Sequence, residues 1–146
     1  MTSSRRRGHD TGSVSVELAV LAPAVLLIGL LVVAAGRISS AQQAVDDAAT
    51  AAARTASLTR SASAASTAAT NAATTVLGER HLRCTDTRVS VHAGGFAPPP
   101  GQTGVARVEV RCQVGLADLA GVPGLPGSTV VSSSFTSPVD PYRTSP

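Results

Sequence analysis

A glycine and a carboxylate, Gly12 and Glu17, stand five positions apart just before a long apolar run. Cleavage after Gly12 would make Ser13 the first residue, and its free amine would lie one helical turn from the Glu17 carboxylate. In a helical assembly, the amine of one subunit could instead neutralise Glu17 of a neighbour. Such a partner is expected within a membrane, because an unpaired carboxylate in hydrocarbon costs several kcal/mol. The simpler interpretation places Glu17 in the headgroup layer, where it needs no partner.

Cys84 and Cys112, the only cysteines, form the second pair that could carry chemistry. A disulfide between them would close a loop of about 29 residues and contribute roughly 3–4 kcal/mol in the chain-entropy model. The alternatives are a metal pair or a redox couple, and His81 and His92 nearby would complete only a weak metal site. An extracytoplasmic position of this region favours the structural disulfide.

No constellation for catalysis is present in the sequence. The motifs G-x-S-x-G, H-E-x-x-H, G-x-G-x-x-G and the P-loop do not occur. His9, His81 and His92 are scattered, and Asp46 and Asp47 are adjacent on an expected helix, so their carboxylates cannot converge on one point. The sequence therefore predicts a protein that is not an enzyme, with no cofactor, no metal and no small-molecule substrate.

The basic charge is concentrated at the N-terminus. The formal net charge is +3, and Arg5, Arg6 and Arg7 account for most of it. Nucleic-acid binding would need a basic face interleaved with aromatic side chains, but the chain has no Trp, one Tyr and two Phe. The arginines are better explained as a topology signal for a membrane protein.

Residues 18–36 form an uncharged apolar run of membrane length. A helix of nineteen residues spans about 28 Å, close to the hydrocarbon thickness of a bilayer. Pro23 and Gly29 are tolerated in membrane helices. Because the arginines precede the run, we expect a cytoplasmic N-terminus and an extracytoplasmic C-terminal part. A secretory signal peptide cleaved near residues 33–35 is the alternative, but the run exceeds the usual length of its apolar region.

Two further regions follow the apolar run. Residues 37–77 are rich in Ala, with Ala41, Ala44, Ala48, Ala52 and Ala56 at helical spacing, which predicts that the membrane helix continues outward as a stalk. Within it, residues 55–75 are of low complexity and are consistent with either a helix or a flexible spacer. A generic Ala-rich stalk would explain the same composition.

From Gly78, a plausible helix stop, the pattern changes to alternation typical of strands. We predict strands over residues 89–93, 108–116 and 129–136, with Pro/Gly loops at 94–104 and 121–127. The fold class is therefore α+β: a long N-terminal helix followed by a small antiparallel sheet. The outer part of the helix should cover one face of this sheet.

The beginning of the chain resembles a known family. The segment GSVSVELAVLAPAVLLIGLLVVAAGRI, followed by AVDDAATAAARTAS, is similar to TadE-like proteins of actinobacteria, which are minor pilins or pseudopilins of the tight-adherence (type IVc) pilus system. Glu17, Pro23 and Arg54 match residues of that family, and the tail at residues 137–143 matches loosely. Two features fit the pattern less well. Many pilins begin with Phe or Met after cleavage, whereas this chain would begin with Ser13. Gly8 is a second glycine in the leader.

The resemblance implies a pilin-like architecture and a set of partners. Residues 1–12 would be a leader removed by a prepilin peptidase, with Gly12 and Ser13 as the processing site and Glu17 as the assembly residue. Residues 13–36 would be the membrane helix, 37–77 the stalk and 78–146 a disulfide-stapled β domain. Besides the membrane, the partners would be the peptidase, the major pilin, other pseudopilins and the inner-membrane platform. The alternatives are a membrane-tethered or secreted binding module unrelated to pili and, with least support, an exported enzyme.

Overall fold

The computed structural model describes residues 11–92 and 103–139, with side chains from Val16 onward. The three strands form one antiparallel sheet in the order β1-β2-β3. This confirms the predicted α+β class, a long N-terminal helix followed by a small antiparallel sheet. In chain order, the elements are α1 (Thr11–Ser57), α2 (Ala62–Glu79), β1 (Cys84–His92), β2 (Val105–Gly115), α3 (Leu116–Ala120) and β3 (Ser128–Pro138).

Three predicted segments lie wholly or mostly outside the described residues. They are the basic leader up to residue 10, the Pro/Gly loop between β1 and β2, of which residues 93–102 are not described, and the tail beyond Val139.

Small side chains build the core. The outer half of α1 packs against α2, β2 and β3, so the helix covers one face of the sheet as predicted. The largest fully buried side chains are valines and a cysteine. Because alanine has no side chain beyond Cβ, the helix and its neighbours can approach closely. The buried alanines of the core are Ala41, Ala44, Ala48, Ala49, Ala52, Ala53, Ala56, Ala65, Ala69, Ala73 and Ala106.

The expected single helix through residue 77 is wrong, because α1 ends at Ser57 and α2 folds back against it. Hydroxyl groups bond to the helix carbonyls at the break. Ser57 Oγ donates to the Arg54 carbonyl and Thr59 Oγ1 to the Ala56 carbonyl, each at 2.8 Å, which competes with helix continuation. Ser61 then caps α2, its Oγ accepting from the Ala64 N–H at 3.2 Å. Most of residues 55–75 is therefore helical, in two pieces.

The strands differ from the prediction at their ends. β1 begins at Cys84, earlier than expected, and its pairing with β2 shifts register between Cys84 and Asp86. β2 ends at Gly115, and Leu116 starts the short helix α3 instead of continuing the strand. Val108, Val110, Cys112 and Val114 lie on the buried face of β2, in the phase that the alternating sequence predicted.

The end of α2 is closed by a left-handed residue. Gly78 lies in the last turn, not beyond it, and the reversal occurs at His81, with φ 55°. The Leu82 N–H reaches back to the Leu77 carbonyl at 3.0 Å, and the His81 N–H to the Gly78 carbonyl at 3.0 Å. This is the C-terminal capping geometry that usually requires glycine.

His81→Gly should therefore raise the free energy of unfolding by about 0.5–1 kcal/mol, since relief of left-handed strain exceeds the added freedom of the unfolded chain. Thermal unfolding of the full chain in detergent micelles, followed by circular dichroism, measures the change. His92→Gly is the control, because a glycine within β1 should instead destabilise by about 0.5–1 kcal/mol. Destabilisation of similar size at both positions would contradict the strain argument.

Candidate functional site

The apolar half of α1 projects from the folded part without covering any of it. Among the described residues, one helical stretch is long and apolar enough to cross a membrane, Val16–Ser57, and the apolar window within it is 0% buried. Leu26, Leu30 and Leu31 each expose more than 60% of their surface. A Cβ added at Gly29 or Gly36 would meet nothing within 4 Å. Such a surface is far larger than an isolated soluble domain normally exposes, so it needs lipid or other apolar helices around it.

The predicted processing and assembly residues all lie at the start of this helix. Gly12 and Ser13 belong to the first turn of α1, and Glu17 follows with an exposed side chain. None of the ion pairs found among the described residues includes Glu17. The described part of the chain therefore leaves the carboxylate open to other partners.

The two predicted cysteines are brought together. Cys84 and Cys112 form a disulfide between β1 and β2, with their Cα atoms 5.3 Å apart. Cys112 is fully buried and belongs to the same core as the valines of β2 and the alanines of α1. Its place inside a packed core makes the bridge a structural element of the sheet.

Histidines and acidic side chains do not assemble elsewhere. Over residues 16–92 and 103–139, no group of three or more His, Cys, Asp or Glu side chains is placed to hold a metal ion. His81 ends α2 and His92 ends β1, whereas His9 falls outside the described residues.

The junction between the apolar run and the folded part is organised by Arg37, a role that the sequence analysis missed. Arg37 is the first charged residue after the run, and its Nη1 donates to the Asp118 carbonyl within α3, at 3.3 Å. Gly121 follows α3 with φ 68°, and a Cβ there would lie 2.6 Å from Arg37 Nη1. The glycine thus allows the guanidinium to lie flat against the turn.

Gly121→Ala should cost about 1 kcal/mol more than Gly124→Ala, because the added methyl group forces Arg37 off the Asp118 carbonyl. Gly124 is a matched control: it also has positive φ, 82°, but a Cβ there would meet nothing within 4 Å. Both variants carry the same left-handed strain of about 1–2 kcal/mol. Thermal unfolding of the full chain measures the difference, and equal losses would show that the Arg37 contact contributes nothing.

A second basic side chain ties α2 to α1 near the same junction. Arg80 pairs with Asp47 through Nη2 and Oδ2, with both side chains about half exposed. An exposed pair of this kind contributes about 0–1 kcal/mol, so it sets position more than stability. Sequence patterns alone could not find this pair, because its members are separated by a turn whose place was not foreseen.

Comparison with known proteins bears on the first helix. A family model described as TadE-like protein matches residues 12–54, which begins at the predicted processing glycine and includes Glu17, Pro23 and Arg54. No curated protein and no solved structure gives a match. The exposed apolar helix and the family match together point to association with a membrane. The resemblance predicted from the sequence is confirmed over this range: residues 12–54, less than half of the chain, are similar to the TadE-like family.

Proposed function

We propose that the chain is a TadE-like minor pilin or pseudopilin, a single-pass membrane protein that acts in pilus assembly or in the associated secretion. One observation carries the proposal: the family match over residues 12–54 coincides with α1, whose apolar half is left entirely uncovered by the rest of the chain. In a pilin-type subunit, each half of this helix has a distinct role. The apolar half enters a bundle of similar helices, and the outer half supports a folded head.

The orientation follows from charge and from the disulfide. Arg5, Arg6 and Arg7 precede the apolar helix, which favours a cytoplasmic N-terminus. The Cys84–Cys112 bridge favours an oxidising compartment for the folded part, since cytosolic thiols are kept reduced. Both observations support the same topology, with α2 and the sheet outside the cytoplasm.

A prepilin peptidase removes residues 1–12 in this proposal and releases the Ser13 amine. Glu17 lies four residues later on the same helix, with an exposed carboxylate and no cation paired with it among the described residues. Burial of this carboxylate among apolar helices is unfavourable unless an amine neutralises it. Pairing with the amine of a neighbouring subunit satisfies both charges and fixes the axial register between the two helices.

Intact-mass analysis of the membrane-extracted protein, from cells with and without the peptidase, tests the processing step. The expected mature N-terminus is Ser13, and it should be lost without the peptidase or in Gly12→Leu. Gly8→Leu is the matched control, because Gly8 lies in the leader but the fifth residue after it is Ser13, not an acid. An N-terminus at Met1, Thr2 or near Gly36 would rule out this processing.

The register role of Glu17 is tested by Glu17→Gln, which keeps shape and removes charge. Membrane insertion should persist, while co-purification with sheared pili or with the assembly complex should fall by about tenfold, equivalent to losing about 1.4 kcal/mol of pairing. Glu79→Gln is the control, since Glu79 is an exposed carboxylate at the end of α2. Normal incorporation of Glu17→Gln would exclude the register role. Absence of the wild-type chain from every pilus fraction would favour the tethered binding module instead.

A further inference from the structure

One end of the folded part adjoins the apolar helix, and three contacts fix which end it is. Arg37 reaches Asp118, Gln42 Nε2 donates to the Ser132 carbonyl at 3.3 Å, and Ser57 Oγ lies 3.2 Å from Ser137 Oγ. Strand β3 therefore runs alongside α1 in the same direction, away from the apolar run. We call the end near Arg37 the proximal pole; it comprises Arg37, residues 80–83, α3 and the turn at 121–127.

A cationic cavity opens at the proximal pole. Its volume is about 300 Å³, and its walls come from α1, from residues 80–83 after α2, from Val114 of β2 and from α3. Asp118 is the only acid among the described residues that line it. Asp47 does not line the cavity but pairs with Arg80, and the remaining basic side chains leave the cavity with a net positive charge. The basic lining residues are Arg37, Arg80, His81 and Arg83.

Apolar side chains protrude from the turn beside this cavity. Val122 is 49% exposed and Leu125 is 41% exposed. Glycines with positive φ at 121, 124 and 127 fix the shape of the turn around them. Arg37, which contacts this turn at Gly121, is the residue directly after the uncovered apolar run. The turn is therefore continuous with the surface that the proposed function places in the membrane.

We propose that the proximal pole rests on the bilayer leaflet from which α1 emerges, with an anionic phospholipid headgroup in the cavity. This rests on the proposed membrane insertion of α1. Guanidinium groups bind phosphate through several donors at once, and arginines at the end of a membrane helix lie at headgroup level. Val122 and Leu125 enter the boundary between headgroups and acyl chains. Seating the pole in this way holds the folded head at one height and tilt above the membrane.

A depth measurement tests the apolar contact on the full chain in nanodiscs. An environment-sensitive fluorophore is attached at Val122→Cys, under oxidising conditions that preserve the native disulfide, and is quenched by lipids with a nitroxide near the headgroup. Val105→Cys is the matched control, being the same substitution at 46% exposure on the far end of β2. We expect strong quenching at position 122 and little at 105. Equal quenching at the two positions would overturn the proposal.

A probe at Leu27→Cys separates the two proposals. If the probe at position 27 is quenched by deep nitroxides and that at position 122 is unquenched, only the docking of the proximal pole fails. If the probe at position 27 is unquenched as well, the membrane insertion on which both proposals rest has failed. Quenching at position 122 that disappears on dilution to one chain per nanodisc would assign the pole to a second copy of the chain.

Retention of anionic lipid tests whether the cavity binds a phospholipid headgroup. Native mass spectrometry counts phosphatidylglycerol kept by the chain when it is released from nanodiscs that also contain phosphatidylcholine. Arg83→Gln should lower retention about fivefold, the effect of about 1 kcal/mol per arginine at a membrane surface, whereas Arg83→Lys should retain most of it. Arg60→Gln is the control at the opposite end, in the turn between α1 and α2. No difference between Arg83→Gln and Arg60→Gln would overturn the assignment, as would full displacement of the lipid by millimolar inorganic phosphate.

Discussion

Replacing Cys84 and Cys112 together by alanine should lower the free energy of unfolding of the sheet by about 3–4 kcal/mol. The bridge closes a loop across 28 positions, and in the chain-entropy model a loop of this size restricts the unfolded chain strongly. Over the described residues, the sheet has three strands, and its fully buried side chains are no larger than valine. A core of this size gives only a small free energy of unfolding, so losing the bridge should bring the fold near its limit of stability. Hydrogen exchange of the β2 amides, followed by mass spectrometry on the full chain in detergent micelles, measures the loss.

Reduction of the wild-type chain is the control for the cysteine variant. It breaks the bridge without removing the buried Cys112 sulfur, so it separates the loss of the covalent link from the loss of packing. Reduction should account for most of the change seen in the double variant. If the free energy of unfolding fell by less than about 1 kcal/mol in the double variant, the unfolded chain would gain little freedom when the disulfide is removed, contrary to the chain-entropy model.

The sequence predicted the sheet well because apolar and polar residues alternate along its strands. Val108, Val110, Cys112 and Val114 occupy one face of β2, and the structure buries that face against α1. The disulfide was predicted from the expected extracytoplasmic position of the two cysteines, and the inward phase of Cys112 on β2 agrees with it. The start of β1 was missed because residues 84–88 are polar on most positions and pair at an irregular register.

The helical hairpin could not be predicted from composition, because Ala-rich sequence with scattered Ser and Thr lies on both sides of the turn. At the break, the hydroxyls of Ser57 and Thr59 bond to the last helix carbonyls, and Ser61 supplies a new cap. Tertiary packing then favours the hairpin, since folding back buries the alanine face of α2. The sequence feature that could have predicted the break is Ser61, a favourable N-cap residue before an Ala-rich run.

The proximal pole was missed for a different reason. Arg37, Asp118 and Gly121 are far apart in the sequence and meet only through the fold. In the sequence, Arg37 is simply the first charge after the apolar run. In the structure, it is the side chain that joins the apolar helix to the folded head.

Ala69→Leu should destabilise the folded part by about 2–3 kcal/mol, because it overpacks the contact between α1 and α2. Ala65, Ala69, Ala73 and Leu77 form the buried stripe of α2, and Ala69 is fully buried near its middle. Three extra carbons at this point must push the two helices apart or force strained rotamers, since the facing side of α1 is also built from buried alanines. Hydrogen exchange of the α2 amides in the full chain reports the change directly.

Ala64→Leu is the matched control for this overpacking, because it makes the same substitution at an exposed position of the same helix. Leucine and alanine both favour helix, so a change within about 0.5 kcal/mol is expected there. If Ala69→Leu changed the stability as little as Ala64→Leu, the alanine stripe would only reflect the Ala-rich composition, and packing would not require it. A selective loss at position 69 would instead mean that small side chains allow the hairpin to form. The hairpin then gives the small sheet a surface to fold against, and through Arg37 and Arg80 it holds the head at a fixed position relative to the apolar helix.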